Sequence, residues 1–238
     1  MRKFNTFVIL AVGFIFMACN HQVAGIRHSV LPVFVTGYVH TEHQVLTRTG
    51  PKTVTTADFE ACSAVYVAPH LLATSVSVFP QEHDGVSMYD PGSITILDGT
   101  DSLNAADVPY FDQEIGLVLI RTEQVGVPLP LWNGPLSVTD VYKRVGYTFR
   151  SAPSGVFATP SWNAGHATAS YDLDSLSSTR MFSVRTDLQP GSCGSLIINR
   201  DGALLGIINR GIGIGDDEAS VIAPASIRAA IESVEDTK

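Results

Sequence analysis

The chain has 238 residues, of which 45% are hydrophobic and 16% are charged. This is enough apolar sequence to bury a sizeable core, as one compact unit or two small subdomains, and it excludes an intrinsically disordered chain. The formal net charge of −8 argues against nucleic acid as a partner, because phosphate contacts need basic patches.

The N-terminal segment has the pattern of a secretory signal. Arg2 and Lys3 precede the apolar run Phe7–Ala18, which is too short to span a bilayer as a mature helix. Residues 16–19 also resemble a bacterial lipobox, in which Cys19 would be lipidated and become the new N-terminus. An ordinary signal peptide, with Cys19 removed or left as a free thiol, is the alternative. Loss of residues 1–18 would remove two of the 15 basic side chains and none of the 23 acidic ones, giving a formal charge of −10.

Short β-rich runs separated by turns fill most of the remaining chain. Residues 19–30 lack apolar periodicity and are predicted to be a tether before one domain over residues 31–238. The runs predict an all-β sandwich or barrel, with the proline-rich stretch Val127–Pro135 as a central linker. Only residues 225–234 have a helical pattern, with Ala225 or Ser226 as the cap. The predicted strands are Val33–His40, Gln44–Thr47, Cys62–Val67, Leu71–Val78, Ser93–Leu97, Ile115–Ile120, Tyr142–Phe149, Gly155–Thr159, Ala167–Tyr171, Met181–Arg185, Leu196–Ile198, Leu204–Ile208 and Ser220–Ile222.

The stretch Gln189–Asn199 places a nucleophile-type residue in a glycine turn before an apolar strand. Gly191 has no β-carbon, so the backbone there can take positive φ and aim successive N–H groups at one point beside the Cys193 sulfur. This arrangement is typical of an oxyanion hole. A small-residue turn without chemical function is the alternative, since short glycine motifs are common.

This stretch resembles the nucleophile segment of the chymotrypsin superfamily, especially its bacterial periplasmic branch, which carries a Pro-Gly-Asn-Ser-Gly-Gly type of sequence. Two positions depart from the family: Cys193 replaces the serine, and Ser195 replaces the second glycine. The resemblance implies two six-stranded antiparallel β-barrels and a C-terminal helix. The first barrel would cover about residues 31–127, the second about 136–224 and the helix about 225–234.

Two further segments occur upstream in the family's order. Residues 61–79 resemble the strand–turn–strand that ends in a Thr-Ala-Ala-His segment, and the count places Ser77 at the histidine position. Residues 110–120 resemble the Asp-Ile-Ala-Leu-Leu strand and place Glu114 at the aspartate position. A generic hydrophobic hairpin and a solvated acid at a strand start are the respective alternatives. The resemblance implies that Ser77 lies close to Cys193, with Glu114 behind Ser77.

Other positions match the family's substrate pocket. Asn209 and Gly211 fall on the strand that binds substrate backbone, and Asp187 lies where trypsin-like enzymes place an acid that selects Arg or Lys. The periplasmic branch also has a Thr-Asp pair with a different role, so Asp187 is a weak signal. No motif indicates a cofactor or a metal, because the seven histidines never form a ligand spacing with Cys, Asp or Glu.

If Cys19 is lipidated, Cys62 and Cys193 are the two remaining thiols, and an oxidising compartment would allow them to bond. In the family, the position of Cys62 carries a cysteine bonded to the residue after the histidine, which is Val78 here. The resemblance also lays the Cys62 strand beneath the nucleophile turn, so a Cys62–Cys193 disulfide is expected. Two separate reduced thiols are the equal alternative.

The triad positions decide the predicted function. Ser77 is far too weak a base to activate Cys193 near neutral pH, so we expect a non-catalytic homologue that binds a protein or peptide through the former cleft. The alternative is an active cysteine hydrolase with an unorthodox base, such as His70 or His83. The predicted location is the periplasm or cell envelope, as a lipoprotein anchored through Cys19 or as a secreted protein.

Overall fold

The structure is a computed structural model that describes residue 26 and residues 28–47, 50–79, 94–98, 101–152, 155–188, 191–212 and 217–236. The predicted signal, Cys19 and His83 lie outside the described residues. Within these ranges, no helix has the length and apolarity needed to cross a bilayer.

The described residues are almost entirely β-structure. The strands and helices are β1 (Val30–Thr47), β2 (Gly50–Ala68), β3 (Leu71–Ser75), a 3-10 turn (Val76–Val78), β4 (Ile94–Asp98), β5 (Asp101–Asn104), β6 (Asp107–Asp112), β7 (Leu117–Arg121), β8 (Tyr142–Ala152), β9 (Gly155–Ala169), β10 (Met181–Thr186), β11 (Leu196–Ile198), β12 (Leu204–Ile212), β13 (Glu218–Ile222) and α1 (Pro224–Glu235).

The N-terminal half forms one antiparallel sheet in the order β5-β4-β1-β2-β3-β7-β6. The long β1–β2 hairpin forms the largest part of this sheet, and in it Val33 pairs with Cys62 and Thr47 with Gly50. Strand β3 then pairs with both β2 and β7, so the segment that ends at Ser75 lies in the middle of the sheet. This central position fixes the start of the 3-10 turn that carries Ser77.

The C-terminal half is a closed barrel with the strand order β10-β13-β12-β11-β8-β9. Strand β11 begins two residues after Gly194 and pairs with β8 and β12. The nucleophile turn is therefore held at one end of this barrel. The all-β fold class, with a closed six-stranded barrel, a curved sheet and a C-terminal helix, is confirmed. The N-terminal half, however, is a seven-stranded sheet where six strands were expected.

Both faces of the central strands are buried, and successive side chains enter different cores. On β7, Leu117 and Leu119 join a cluster between the two halves, whereas Val118 and Ile120 join the core of the first sheet. On β11, Leu196 joins the same cluster between the halves and Ile197 faces the interior of the second barrel. Because successive side chains of a strand point to opposite faces of the sheet, one strand contributes to two separate cores.

Three local predictions differ from the structure. Strands β5 and β6 were missed because their sequences are polar, and each lies at an edge of the first sheet. Residues 76–78 form a 3-10 turn and do not continue β3, because Ser75 accepts a hydrogen bond from the Ser77 amide and ends the strand. Helix α1 begins at Pro224 after Ala223, while the predicted cap Ser226 donates instead to Arg180 O at 2.9 Å.

The cluster between the two halves should dominate stability. Leu119→Ala removes a fully buried side chain of that cluster, so the free energy of unfolding should fall by about 2–5 kcal/mol. Urea denaturation measures this loss. Val125→Ala is the matched control, because Val125 is 65% exposed, and an equal loss in both variants would contradict the assigned core.

Candidate active site

The turn that carries Cys193 depends on two glycines. Gly191 and Gly194 have φ values of 85° and 77°, in the left-handed region that non-glycine residues rarely occupy. The turn is closed by the Ser195 amide, which donates to Ser192 O at 3.0 Å, and by the Gly194 amide, which donates to Ile208 O at 2.8 Å. Cys193 is partly buried at the tip. The sequence prediction of a glycine-dependent turn is confirmed by this geometry.

Gly194 also lets the turn touch the first sheet. A β-carbon at this position would overlap the carbonyl oxygen of Ser63. That oxygen accepts a 2.7 Å hydrogen bond from Thr74, one residue before Ser75. The nucleophile turn and the end of β3 are therefore brought together across the boundary between the two halves.

Ser77 stands at the exposed edge of this site and is part of a hydroxyl chain. Its side chain lies 2.8 Å from Ser75 Oγ, and its amide donates to the same oxygen at 3.1 Å. Ser75 is fully buried and donates to Asn209, with 3.0 Å to both the carbonyl oxygen and Oδ1. Because a serine has one hydroxyl hydrogen, the Ser77 hydroxyl donates to Ser75. None of the groups in this hydroxyl chain is a basic nitrogen that could take a proton from Cys193.

Glu114 does not lie behind Ser77. Its side chain is 80% exposed and pairs with Arg180 at 3.4 Å, so the expected position of Glu114 is wrong. The place next to Ser75 is taken by the Asn209 amide, whose Nδ2 donates to Ile115 O at 3.5 Å. Gly116, with φ of 76°, provides the space for this amide, because a β-carbon there would overlap it.

The structure describes the side chains of His28, His70 and His166. His70 donates through Nδ1 to Thr122 O at 3.2 Å, at the start of β3. The five residues of β3 separate it from the 3-10 turn by about 16 Å. His28 and His166 are exposed, His166 on β9. None of these three is hydrogen-bonded to Cys193 or Ser77 in the described part of the chain, so His70 does not serve as the unorthodox base.

The three residues predicted for the substrate pocket, Asp187, Asn209 and Gly211, have different surroundings in the structure. Asp187 is exposed directly after β10, Asn209 is buried in the hydroxyl chain, and Gly211 lies on β12 opposite Ala219 of β13. Asn209 is thus a structural polar residue of the site, while the backbone at Gly211 follows the predicted strand. The sequence analysis missed the partnership of Ser75 and Asn209 because it joins residues 134 positions apart.

Arg144 was also missed, and it lies under the nucleophile turn. Its NH1 donates to Ser192 Oγ at 3.0 Å, one residue before Cys193. Burial lowers the pKa of Arg144, while the nearby negative charge of Asp187 raises it. The signal was present in the sequence, since the alternation of a strand places Arg144 on the same face as the buried Tyr142.

Among the described residues, Cys62 and Cys193 are the two cysteines, and no disulfide joins them. The Cys62 sulfur is buried in the core of the first sheet, 3.1 Å from Thr74 Oγ1, whereas Cys193 is partly buried in the turn of the second barrel. The expected Cys62–Cys193 disulfide is therefore wrong for this structure. The reason is that the Ser63 backbone, not the Cys62 side chain, faces the nucleophile turn.

Two other kinds of site were sought in the described ranges. They hold no group of three or more His, Cys, Asp or Glu side chains arranged to bind a metal ion. A surface pocket of about 260 Å³ lies between Trp132, Asp140 and Arg200. It is at the opposite end of β11 from Cys193 and contributes nothing to the cleft.

Comparison with known proteins supports the fold. A family model described as a trypsin-like peptidase domain matches residues 62–207. The structure is similar to the active form of the Rv3671c protease from M. tuberculosis, with 12% identity, a TM-score of 0.56, and coverage of 90% of this chain and 83% of that chain. It is also similar to the HtrA-type protease AlgW with a decapeptide and to a serine endoprotease from Yersinia pestis, each with 15% identity, a TM-score of 0.56, and coverage of 90% of this chain and 65% of that chain. Among curated protein sequences, no match was found.

The thiol assignment can be measured by intact mass. Unreduced protein denatured in iodoacetamide should gain a blocking group on both Cys62 and Cys193, because neither is bonded. Under native conditions Cys193 should react first, since Cys62 is 0% exposed. Absence of both groups, with their appearance after reduction, would establish the disulfide instead.

The hydroxyl chain predicts unequal effects of two serine substitutions. Ser75→Ala leaves the buried Asn209 side chain without its donor, so the free energy of unfolding should fall by about 1–3 kcal/mol. Ser77→Ala is the matched control at the exposed end and should cost less than about 0.5 kcal/mol. Thermal and urea unfolding of both variants test the order, and a larger cost for Ser77→Ala would refute it.

Proposed function

The chain belongs to the trypsin-like peptidase domain family, and we propose that it is a non-catalytic member that binds a protein or peptide in the cleft beside Cys193. The observation that supports this proposal is the hydroxyl of Ser77, with Ser75 and Asn209 behind it, at the position of the general base. The hydrogen-bonded series of these three side chains contains no basic nitrogen and no carboxylate.

The chemistry of peptide cleavage explains why this substitution matters. A general base must take the proton of the nucleophile and return it to the leaving amine. A serine hydroxyl can do neither near neutral pH, and loss of the base in a serine enzyme lowers turnover on the order of 10⁶-fold. A thiol is intrinsically more nucleophilic than a hydroxyl, but Cys193 still lacks a proton donor for the leaving amine among the described residues.

Features used for binding are retained in the same cleft. The turn at Gly191 and Gly194 keeps its left-handed backbone. Strand β12 continues to Ile212 and pairs with β13 on one side, while β11 pairs with it only as far as Ile207. The far end of β12 therefore offers a strand edge to which an extended peptide can add. The solved structure of AlgW, a similar protein of this fold, is described as being with a decapeptide, which supports a peptide as the ligand here.

The site of action follows from the N-terminal sequence. Arg2, Lys3 and the apolar run Phe7–Ala18 direct export, and lipidation of Cys19 would hold the domain at the bacterial cell envelope through a short tether. We therefore place the domain in the periplasm or cell envelope, anchored only through the lipid.

The proposal predicts that the purified mature protein does not hydrolyse casein or fluorogenic peptides. Cys193→Ala should leave the background rate of hydrolysis unchanged, because none of the histidine side chains that the structure describes is hydrogen-bonded to the Cys193 thiol. Ser77→His should also remain inactive, since Glu114 is held at the surface by Arg180 and cannot orient a new ring. Turnover abolished by Cys193→Ala would instead establish the cysteine-hydrolase alternative, and turnover that persists in that variant would indicate a contaminating protease.

Binding in the cleft is tested by selective modification of Cys193. A pool of fluorescein-labelled decapeptides with randomised sequence should raise the anisotropy on binding to the native protein. A bulky maleimide on Cys193 should prevent this rise in anisotropy, because it would fill the proposed cleft. Cys62 is fully buried and should not react under native conditions. Small methyl-disulfide modification of Cys193 is the matched control and should leave binding intact.

A further inference from the structure

The pocket at the β11–β12 turn is separate from the cleft beside Cys193, since the two lie at opposite ends of β11. It has a volume of about 260 Å³, and its lining includes the exposed residues Asp140, Val141 and Arg200, so a ligand group can enter it from solvent. This volume is below the range of about 300–1,000 Å³ that is usual for sites of drug-sized ligands. The pocket therefore suits a single side chain of a partner.

Two aromatic residues form part of the pocket wall. The Trp132 indole lies against Gly134, where a β-carbon would overlap the ring, and its Nε1 donates to Pro135 O at 3.2 Å. The Tyr142 ring is buried, and its hydroxyl accepts a hydrogen bond from the Ser137 amide at 3.0 Å. Both rings are therefore held in place, and their polar atoms are already hydrogen-bonded to the protein. A wall of this kind offers a ligand aromatic surface in a fixed position.

The charged part of the pocket is held by the β11–β12 turn. Asn199 Oδ1 accepts hydrogen bonds from the amides of Asp201 and Ala203, each at 2.9 Å. The Gly202 amide donates to Asn199 O at 3.2 Å. These bonds fix the backbone that carries Arg200 and Asp201, so little of the turn has to be ordered when a ligand binds.

Carboxylates outnumber cations around the pocket. Asp140 and Asp201 line it together with Arg200. Burial raises the pKa of Tyr142, and the negative charges of Asp140 and Asp172 raise it further, so both carboxylates act on this ring. None of the three acids forms an ion pair with another described residue. Because aromatic faces and carboxylates both attract cations, the pocket favours a positively charged group.

An exposed apolar surface adjoins the pocket. Val138, Val141 and Tyr171 are 41%, 45% and 44% exposed, and they are three of the five large hydrophobic side chains that are exposed in the described ranges. Val141 lines the pocket, and the Val138 amide donates at 2.8 Å to Asp172, the residue after Tyr171. A small cation in the pocket would leave these side chains in water, whereas a segment of a partner protein would cover them.

We propose that the pocket receives an arginine side chain of a partner protein whose neighbouring apolar residues cover Val138, Val141 and Tyr171. A guanidinium is planar, so it can stack on the Trp132 indole while two of its N–H groups bond to one carboxylate. An ammonium group is a point charge and cannot do both. This interaction site goes beyond the peptide binding proposed beside Cys193 and does not depend on it.

Matched peptides test the site. N-acetylated tripeptide amides with the sequences Leu-Arg-Leu, Leu-citrulline-Leu and Leu-Lys-Leu are titrated into the mature protein. The nuclear magnetic resonance shift of the Trp132 indole N–H, assigned with a Trp132→Phe variant, gives each dissociation constant. Citrulline has nearly the shape of arginine without its charge, so the arginine peptide should bind about ten-fold more tightly than the citrulline peptide. The lysine peptide should bind with intermediate affinity.

Two charge variants at the pocket should change binding of the arginine peptide in opposite directions. Asp140→Asn removes a carboxylate and should weaken this binding several-fold, whereas Arg200→Gln removes a like charge and should strengthen it several-fold. Neither change should alter binding of the citrulline peptide, which has no charge at this position. Glu123→Gln is the matched control, because Glu123 is an exposed acid outside the pocket lining, and it should have no effect on either peptide.

Each outcome decides the proposal. A preference for arginine that Asp140→Asn lowers and Arg200→Gln raises supports the site. Equal binding of the arginine and citrulline peptides, or an unchanged Trp132 resonance, overturns it. An equal loss of affinity in Glu123→Gln also overturns it, because the preference would then come from the net charge of the domain. A bulky maleimide on Cys193 should leave tripeptide binding unchanged, so failure of this site and failure of the proposed cleft are distinguishable.

Discussion

The site depends on the contact between the nucleophile turn and Ser63 of β2. A side chain at Gly194 would overlap the Ser63 carbonyl oxygen, and the Ser63 hydroxyl accepts a 2.8 Å hydrogen bond from the Tyr147 amide of β8. Ser63 is fully buried, so one residue of the first sheet contacts two elements of the second barrel. Because this contact needs a glycine in the left-handed conformation, the position of Cys193 follows from backbone geometry and not from its own side-chain interactions.

The hydroxyl chain surrounds Ser77 with neutral, hydrogen-bonded groups. In the family pattern this region holds a histidine and an aspartate, whereas here Ser75 and Asn209 fill the space with hydrogen-bonded neutral groups. Gly116, where the family pattern has alanine, provides the room that the Asn209 amide occupies. Glu114 is then free to pair with Arg180 at the surface. These substitutions are mutually consistent, so a single Ser77→His change would not recover a charge relay.

The sequence predicted the glycine turn, the order of the three segments and most strands, because these depend on local patterns of two to eleven residues. It did not predict β5 and β6, whose polar residues gain their conformation from edge pairing. It also misplaced Glu114, since an ungapped count cannot show that Gly116 takes a positive φ and turns the chain. The expected disulfide failed for a similar reason: side-chain direction on β2 decides it, and the Cys62 sulfur points into the first sheet.

The hydroxyl chain and Arg144 differ in how completely their polar groups are hydrogen-bonded. A neutral hydroxyl chain is a stable end state, because every donor in it has an acceptor. Arg144 is less well satisfied, since Nε and NH2 have no hydrogen-bond partner among the described residues, and burial of a cation without partners is costly. Satisfied neutral groups thus surround Ser77, whereas the buried cation beneath the nucleophile turn is only partly satisfied.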